Sequence, residues 1–180
     1  MKKLARLTAL LLTGALLLVL TACGATPGGG ASMTPEEIAA KQWLLEEINS
    51  YRTTHDPSLE PLEEVKKLSE AEQDLANYFR AAGKTVLPDS ETSKPYAKWQ
   101  SLTNNWSYYD DFGWEWDERE DGERISFLTA EVPANTQNGK AELWAAFEKA
   151  GTFDDEACKY IGIAVVTIDE QMYWACSMYD

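Results

Sequence analysis

Histidine is the scarcest chemically active side chain of this 180-residue sequence, because His55 is the only one. Its scarcity excludes a metal centre built on several imidazoles and any catalytic group that needs two histidines. His55 stands in Thr54-His55-Asp56-Pro57, a composition typical of a turn. We therefore expect His55 to be a solvated loop residue rather than a ligand.

Basic side chains are also few, with 16 Lys and Arg against 30 Asp and Glu. The formal net charge of −14 argues against nucleic acid as a partner, because affinity for phosphates comes mostly from Lys and Arg. It argues equally against electrostatic attachment to anionic lipid headgroups. The simplest interpretation is solubility, and a cationic partner or a divalent metal is also compatible with this charge.

Long apolar runs are absent except for one, which extends from Leu7 to Leu20. It is shorter than the roughly 20 residues that a membrane-spanning helix needs. Lys2, Lys3 and Arg6 precede it, and the small residues of Leu20-Thr21-Ala22-Cys23-Gly24 follow it. A basic start, a short apolar core and small residues at a cleavage site are typical of a secretory signal.

The segment that ends in Cys23 resembles the signal of bacterial lipoproteins. That resemblance implies cleavage before Cys23 and acylation of its thiol and amine, with enough acyl chains to hold a protein stably at a membrane. It predicts a signal peptide over residues 1–22 and a lipidated, flexible tether rich in Gly, Ala, Ser and Pro over 23–33. The expected location is the extracytoplasmic face of a bacterial cell membrane. An uncleaved anchor helix is the alternative.

Two cysteines remain beyond Cys23. Cys158 and Cys176 form an even pair in a chain that we expect to be exported, which permits a disulfide. The alternative is two buried free thiols, since cysteine is a common core residue. The sequence leaves both open.

Residues 34–180 predict one α+β domain, because helical patterns lead and strand patterns close the chain. Thr34, Pro35 and Glu37 form the pattern of a capping box at the start of the first helix. Gly83 and Gly151 are typical of residues that end helices. Helices are predicted over residues 35–52, 62–82, 96–102 and 140–150.

The strands are predicted in the second half of the domain. Residues 124–132 have the composition of a strand or of the approach to one. Tyr160–Ile168 is apolar and β-branched, Asp169-Glu170 is polar, and Gln171–Tyr179 alternates. This pattern predicts an antiparallel hairpin at the C-terminal end.

Four stretches, taken together, resemble a known family. They are 44–52 (LLEEINSYR), 59–62 (LEPL), 130–147 starting at Ala130-Glu131-Val132, and 161–165 (IGIAV) with Tyr173-Trp174. In this order they resemble the CAP superfamily of cysteine-rich secretory, antigen 5 and pathogenesis-related proteins, and within it the bacterial SCP-like branch. The resemblance implies a CAP-like α-β-α sandwich, with an antiparallel sheet closed by the C-terminal hairpin and a cleft over the sheet.

The family's cleft often holds two His and two Glu, proposed to bind a divalent metal or to do acid–base chemistry. Glu131 matches one of these glutamates, whereas Phe153 stands where the family has a histidine and Asp154 follows where Arg is usual. No histidine lies near residues 85–89, where the second is expected. The resemblance therefore implies a site that is lost or rebuilt around carboxylates. We expect no metal and no cofactor; zinc is disfavoured, and oxygen-ligated calcium or magnesium is allowed.

Residues 99–123 interleave aromatic and acidic side chains, a combination that suits a carbohydrate or a cationic peptide. In an extended chain, Trp114 and Trp116 point to one face. The alternative is that these rings fill the core, because aromatic residues dominate burial. The predicted ligand-binding residues of the whole domain are Tyr109, Trp114, Trp116, Glu131, Phe153 and Trp174.

These observations predict a lipid-anchored, extracytoplasmic binding or interaction protein without catalysis. Its ligand would be a cell-wall glycan, a peptide or a small apolar molecule. The alternative is a cell-envelope hydrolase that uses Glu131 and a second carboxylate, drawn from residues 115–123 or 154–156. A cation-dependent adhesion module is a third possibility, although the spacing of an EF-hand loop is absent.

Overall fold

The computed structural model describes residues 32–87, 89–119, 122–127 and 130–180. Within these ranges, the side chains of residues 89–93, 116–119 and 122–125 are outside the description. The predicted signal peptide, Cys23 and most of the predicted tether lie outside the described residues. Among the helices described, none combines the length and the apolar character needed to cross a membrane.

Helix α1 spans Pro35–His55 and confirms the predicted capping box. The Thr34 amide donates to Glu37 Oε2 at 2.9 Å, and the Glu37 amide donates to Thr34 Oγ1 at 3.2 Å. These two bonds satisfy donors that a helix start leaves unpaired. The helix runs three residues further than Arg52, so His55 is its last residue rather than part of the following turn.

The second helix begins later than predicted, because the chain first joins the sheet. Strand β1 is the pair Glu63–Glu64, which pairs in parallel with Tyr160 and Ile161. The Glu63 amide donates to the Lys159 carbonyl at 2.9 Å, and the Val65 amide donates to the Ile161 carbonyl at 3.1 Å. Helix α2 then spans Lys66–Ala82 and ends at Gly83, whose φ is +64°. The sheet is therefore mixed rather than wholly antiparallel.

The aromatic middle of the chain contains more regular structure than its sequence predicts. Helix α3 spans Asp89–Thr103, and strand β2 spans Tyr108–Phe112. Strands β3 (Trp114–Arg119) and β4 (Gly122–Phe127) form a separate two-stranded sheet. Gly113 joins β2 to β3 at a φ of +87°, and a Cβ there would lie 2.5 Å from the Trp174 carbonyl oxygen. A side chain at this junction would thus meet backbone.

The C-terminal part agrees closely with the prediction. Helix α4 spans Gln137–Ala150, with Thr136 as its N-cap and Gly151 at its end. Strands β5 (Tyr160–Ile168) and β6 (Gln171–Tyr179) pair antiparallel along their whole length, which confirms the hairpin. Asp169 and Glu170 both have positive φ, as a two-residue type I′ turn requires.

The main sheet has the order β1-β5-β6-β2, and helices cover both of its faces. Along β5, Ile161, Ile163 and Val165 belong to an apolar cluster with α1 and α4. The alternate residues of β5 belong to a second cluster with α2, α3 and the small sheet. The described residues thus form a mixed helix-and-sheet domain in which the β5–β6 hairpin separates two cores.

Cys158 and Cys176 are both buried free thiols, so the structure has no bridge between them. Strand register explains the separation, because Cys176 lies opposite Ile163, whereas Cys158 precedes β5 at the far end of the hairpin. A disulfide needs Cα atoms within about 7 Å. Burial raises the pKa of the Cys158 thiol to about 12, which keeps that thiol protonated and unreactive at neutral pH.

Candidate functional site

Glu131 lies beside strand β6, on a short segment held by main-chain hydrogen bonds. The Val132 amide donates to the Met172 carbonyl at 2.8 Å, and the Trp174 amide donates to the Ala130 carbonyl at 2.9 Å. Glu131 itself pairs with Tyr173 in an isolated antiparallel bridge. Paired residues of an antiparallel ladder project to the same face, so Glu131 and Tyr173 share the face that α2 covers.

A cleft of about 350 Å³ opens on this face, between the end of α2 and the β5–β6 turn. We call it the α2 cleft. Lys84, Thr85, Asp169 and Tyr173 are among the residues that line it. Thr85 lies in the segment where the family resemblance expects a histidine. The neighbouring Glu131 is exposed, and within the described part of the chain its carboxylate has no hydrogen bond or ion pair.

Phe153 and Trp174 do not join Glu131, contrary to their prediction as ligand-binding residues. Both belong to the cluster on the opposite face of the sheet and are almost fully buried. The Phe153 ring lies 4.4 Å from that of Phe147, and the Trp174 ring lies 4.9 Å from that of Phe112, measured between centroids. Their rings therefore fill the core and offer no face to a ligand.

Asp154 and Asp155, two candidates for the second carboxylate of the alternative hydrolase, contact other elements. Asp154 Oδ2 accepts from the Tyr51 hydroxyl at 3.4 Å and lies 3.5 Å from His55 Nε2. The Asp155 carboxylate accepts from the Tyr109 hydroxyl. That bond lowers the pKa of Asp155 from its ordinary value. Among the described residues, no group of three or more His, Cys, Asp or Glu side chains is arranged to hold a metal ion.

The aromatic segment divides between surface and core. Tyr109 is exposed on β2. Trp114 is buried, and its Nε1 donates to Glu72 Oε2 at 2.7 Å. This ring therefore follows the alternative in which the aromatic side chains fill the core. The side chain of Trp116 lies outside the described residues. Trp114 and Trp116 were expected to form one surface, but Trp114, whose side chain is described, is buried.

Glu72 is the residue that sequence reasoning missed. It is fully buried on α2, where Oε1 accepts from Trp99 Nε1 at 2.7 Å and from the Tyr179 hydroxyl at 3.4 Å. Burial raises its pKa to about 7, although the indole hydrogen bonds act in the opposite direction. The signal was available, because Glu72 follows Leu68 by four residues and precedes Leu75 by three, on the apolar stripe.

The described geometry defines a mixed helix-and-sheet domain with one open cleft beside an unpaired carboxylate. No protein-family model matches this chain, and no curated protein matches it.

Proposed function

We propose that this chain is a lipid-anchored, extracytoplasmic binding protein, with a CAP-like domain that lacks the family's histidines and does not catalyse a reaction. The N-terminal motif that ends in Cys23 supports the anchor. Helices on both faces of a closing hairpin agree with the architecture that the resemblance implies. The acidic composition is consistent with attachment through lipid rather than through charge.

The isolation of Glu131 carries the proposal that the domain binds rather than hydrolyses. Glycoside hydrolysis generally uses two carboxyl groups about 5–9.5 Å apart, one as acid and the other as nucleophile or base. Asp154 and Asp155 are two of the candidate partners from residues 115–123 and 154–156, and they contact Tyr51 and Tyr109 instead. Most side chains of the first range lie outside the described residues. Glu131 is thus an exposed carboxylate that is suited to accept hydrogen bonds from a ligand.

A cell-wall glycan is the ligand class that the α2 cleft suits best. The Tyr173 ring supplies an aromatic wall on which a sugar face can pack. Lys84 and Asp169 supply a donor and an acceptor for hydroxyl and amide groups at the rim. The cleft is open to solvent, which suits one segment of a long polymer.

An envelope hydrolase is the second candidate, and Asp169 is the observation that favours it. This carboxylate lines the same cleft beside which Glu131 stands. The two acids come from the β5–β6 turn and from the segment that pairs with β6, where Glu131 lies opposite Tyr173, a residue that lines the cleft. Catalysis would then depend on Glu131 and Asp169 together.

One experiment separates the two functions. The mature protein, in a non-ionic detergent, is sedimented with purified peptidoglycan, and soluble sugar fragments are measured in the supernatant. We expect co-sedimentation without fragments, and about fivefold weaker binding for Lys84→Ala, since one exposed polar contact contributes about 1 kcal/mol. Lys67→Ala is the matched control, because its side chain is exposed near the start of α2, whereas Lys84 follows the end of that helix.

Glu131→Gln provides the decisive variant. If the protein binds and does not cleave, this variant changes retention only modestly and releases nothing, like the parent chain. Fragment release by the parent chain that disappears in Glu131→Gln would establish the hydrolase. Failure of the parent chain to co-sediment, without any release, would overturn the glycan as ligand.

A further inference from the structure

A second pocket lies on the opposite face of the sheet from the α2 cleft, between α1 and α4. Its volume is about 340 Å³, and we call it the aromatic pocket. Tyr51 and His55 of α1 and Trp144 of α4 supply its rings, and Glu148 supplies a carboxylate. None of these four residues belongs to the set predicted from the sequence to bind a ligand.

The core holds the Tyr51 ring in a fixed position, and the His55 and Trp144 rings pack against Tyr51. Tyr51 is almost fully buried and packs edge-on against Phe147, with ring centroids 5.4 Å apart. Tyr51 stacks on His55 at 5.4 Å and meets Trp144 edge to face at 5.5 Å. The pocket wall is therefore preformed and would not need to order itself around a ligand.

Two carboxylates lie at the aromatic pocket. Glu148 lines it, and Asp154 Oδ2 accepts from the Tyr51 hydroxyl at 3.4 Å. Burial, followed by the charges of Asp154 and Glu148, raises the pKa of Tyr51 to about 12. Burial disfavours a charge of either sign, whereas the carboxylates of Asp154 and Glu148 disfavour a phenolate and favour a cation beside it.

The chain itself already places an ammonium group against one of these rings. Lys140 Nζ lies 4.8 Å from the centroid of Trp144 and 2.9 Å from Glu47 Oε2. Trp144 Nε1 donates to the same carboxylate oxygen at 3.0 Å, which fixes the indole plane. Trp144 thus combines a ring and a nearby carboxylate in the arrangement that holds cations.

We propose that the aromatic pocket binds an organic ammonium group, with Tyr51, His55 and Trp144 as its walls and Glu148 as its counter-charge. Aromatic rings attract alkylammonium ions through their quadrupoles, and an adjacent carboxylate adds direct attraction. This site is separate from the α2 cleft and goes beyond the proposed function. It does not require that the chain bind glycan.

Matched small probes test the proposal on the mature protein in dodecyl maltoside, a detergent without charge. Choline is compared with 3,3-dimethylbutan-1-ol, which has nearly the same shape and no charge. Nα-acetyl-lysine methylamide represents a primary ammonium group. Binding is followed by calorimetry and by the NMR signal of the Trp144 indole N–H.

We expect saturable binding of choline or of the lysine derivative, and at least about tenfold weaker binding of the neutral alcohol, equal to about 1.4 kcal/mol. Glu148→Gln should weaken ammonium binding about threefold, because it removes the counter-charge and Glu148 is exposed to solvent. Glu142→Gln, an exposed acid on the same helix outside the pocket, should leave binding unchanged. A preference for choline identifies a quaternary headgroup as the source, and a preference for the lysine derivative identifies a peptide side chain.

Three outcomes would overturn the proposal. One is equal affinity for choline and its neutral isostere, and another is unchanged binding in Glu148→Gln. The third is the absence of saturable binding for both ammonium probes. Because none of these measurements uses peptidoglycan or the α2 cleft, their failure is distinguishable from failure of the proposed function.

Discussion

At the scale of single residues, Glu72 is the most unusual group of the described chain. A carboxylate inside an apolar cluster loses its hydration, and only hydrogen bonds can offset that loss. Trp99 and Trp114 each donate an indole N–H at 2.7 Å, one to each oxygen. Glu72 therefore links α2 to α3 and to the small sheet, and Tyr179 adds β6.

The raised pKa of Glu72 predicts a pH-dependent stability of definite sign. The folded chain holds this proton up to about pH 7, whereas the unfolded chain loses it near 4.5. The contribution of Glu72 to stability is thus fully present below 4.5 and is lost as the pH rises through 7. We compare the free energy of unfolding of Glu72→Gln with that of the parent chain. The value for the variant minus the value for the parent should increase by about 3 kcal/mol when the pH is raised from 4.5 to 7.5.

Urea unfolding of both chains at the two pH values measures that difference. Subtracting one free energy of unfolding from the other cancels the contributions of the titratable groups that both chains contain. Glu70→Gln is the control, because Glu70 lies on the same helix with a side chain that is 65% exposed. The control should change stability equally at both pH values. If the two chains differ in stability by the same amount at pH 4.5 and 7.5, folding does not change the pKa of Glu72, and the prediction is wrong.

The structural role of a residue was predictable where it depends on neighbouring residues in the sequence. Thr34 and Glu37 cap α1 because they are three residues apart. The same Glu37 carboxylate also accepts from Arg80 Nη2 at 2.7 Å and from the Thr167 amide at 2.7 Å. These partners lie far along the chain, so no local pattern indicates that the cap is also a buried ion pair.

At the scale of elements, helices and strands that depend on neighbouring residues in the sequence were predicted, and strands that depend on distant partners were not. The β5–β6 hairpin and α4 follow from alternation, turn residues and the glycine after α4, all of which act locally. Strand β1 exists because Glu63–Glu64 meets the start of β5, almost 100 residues later in the chain. Strand β2 likewise depends on β6 as its partner. Their own residues carry no comparable signal.

The turn of the hairpin is strained by its residue types, which predicts a stabilising substitution. Asp169 has a φ of +49° and Glu170 a φ of +67°, conformations that cost an L-residue about 1 kcal/mol relative to glycine. Glu170→Gly should therefore raise the free energy of unfolding by about 0.5–1 kcal/mol, less the entropy that glycine adds to the unfolded chain. Thermal or urea unfolding measures it.

Glu142→Gly gives the matched comparison, because the same change in the middle of α4 should lower stability by about 1 kcal/mol. Opposite signs at the two sites would isolate the backbone conformation as the cause. A loss of stability in Glu170→Gly would instead mean that the glutamate contributes contacts at the turn.

At the scale of the whole molecule, the period of two along β6 explains how the candidate site differs from the expected one. Tyr173 projects to the α2 face and Trp174 to the face of α1 and α4. Glu131 shares the first face through its bridge to Tyr173, whereas Phe153 packs on the second. Residues expected around a single cleft are thus divided between two sides of the sheet, which local motif matching does not reveal.

Attachment of the whole molecule to a membrane should depend on one residue, Cys23. The chain carries a formal charge of −14, so an anionic bilayer repels it, and a second anchor through charge is disfavoured. Cys23→Ser, expressed in a bacterial host, should lose incorporation of labelled fatty acid and leave the washed membrane fraction, whereas Ser32→Ala should behave like the parent chain. Retention of Cys23→Ser in membranes at both low and high salt would contradict lipid anchoring at this position.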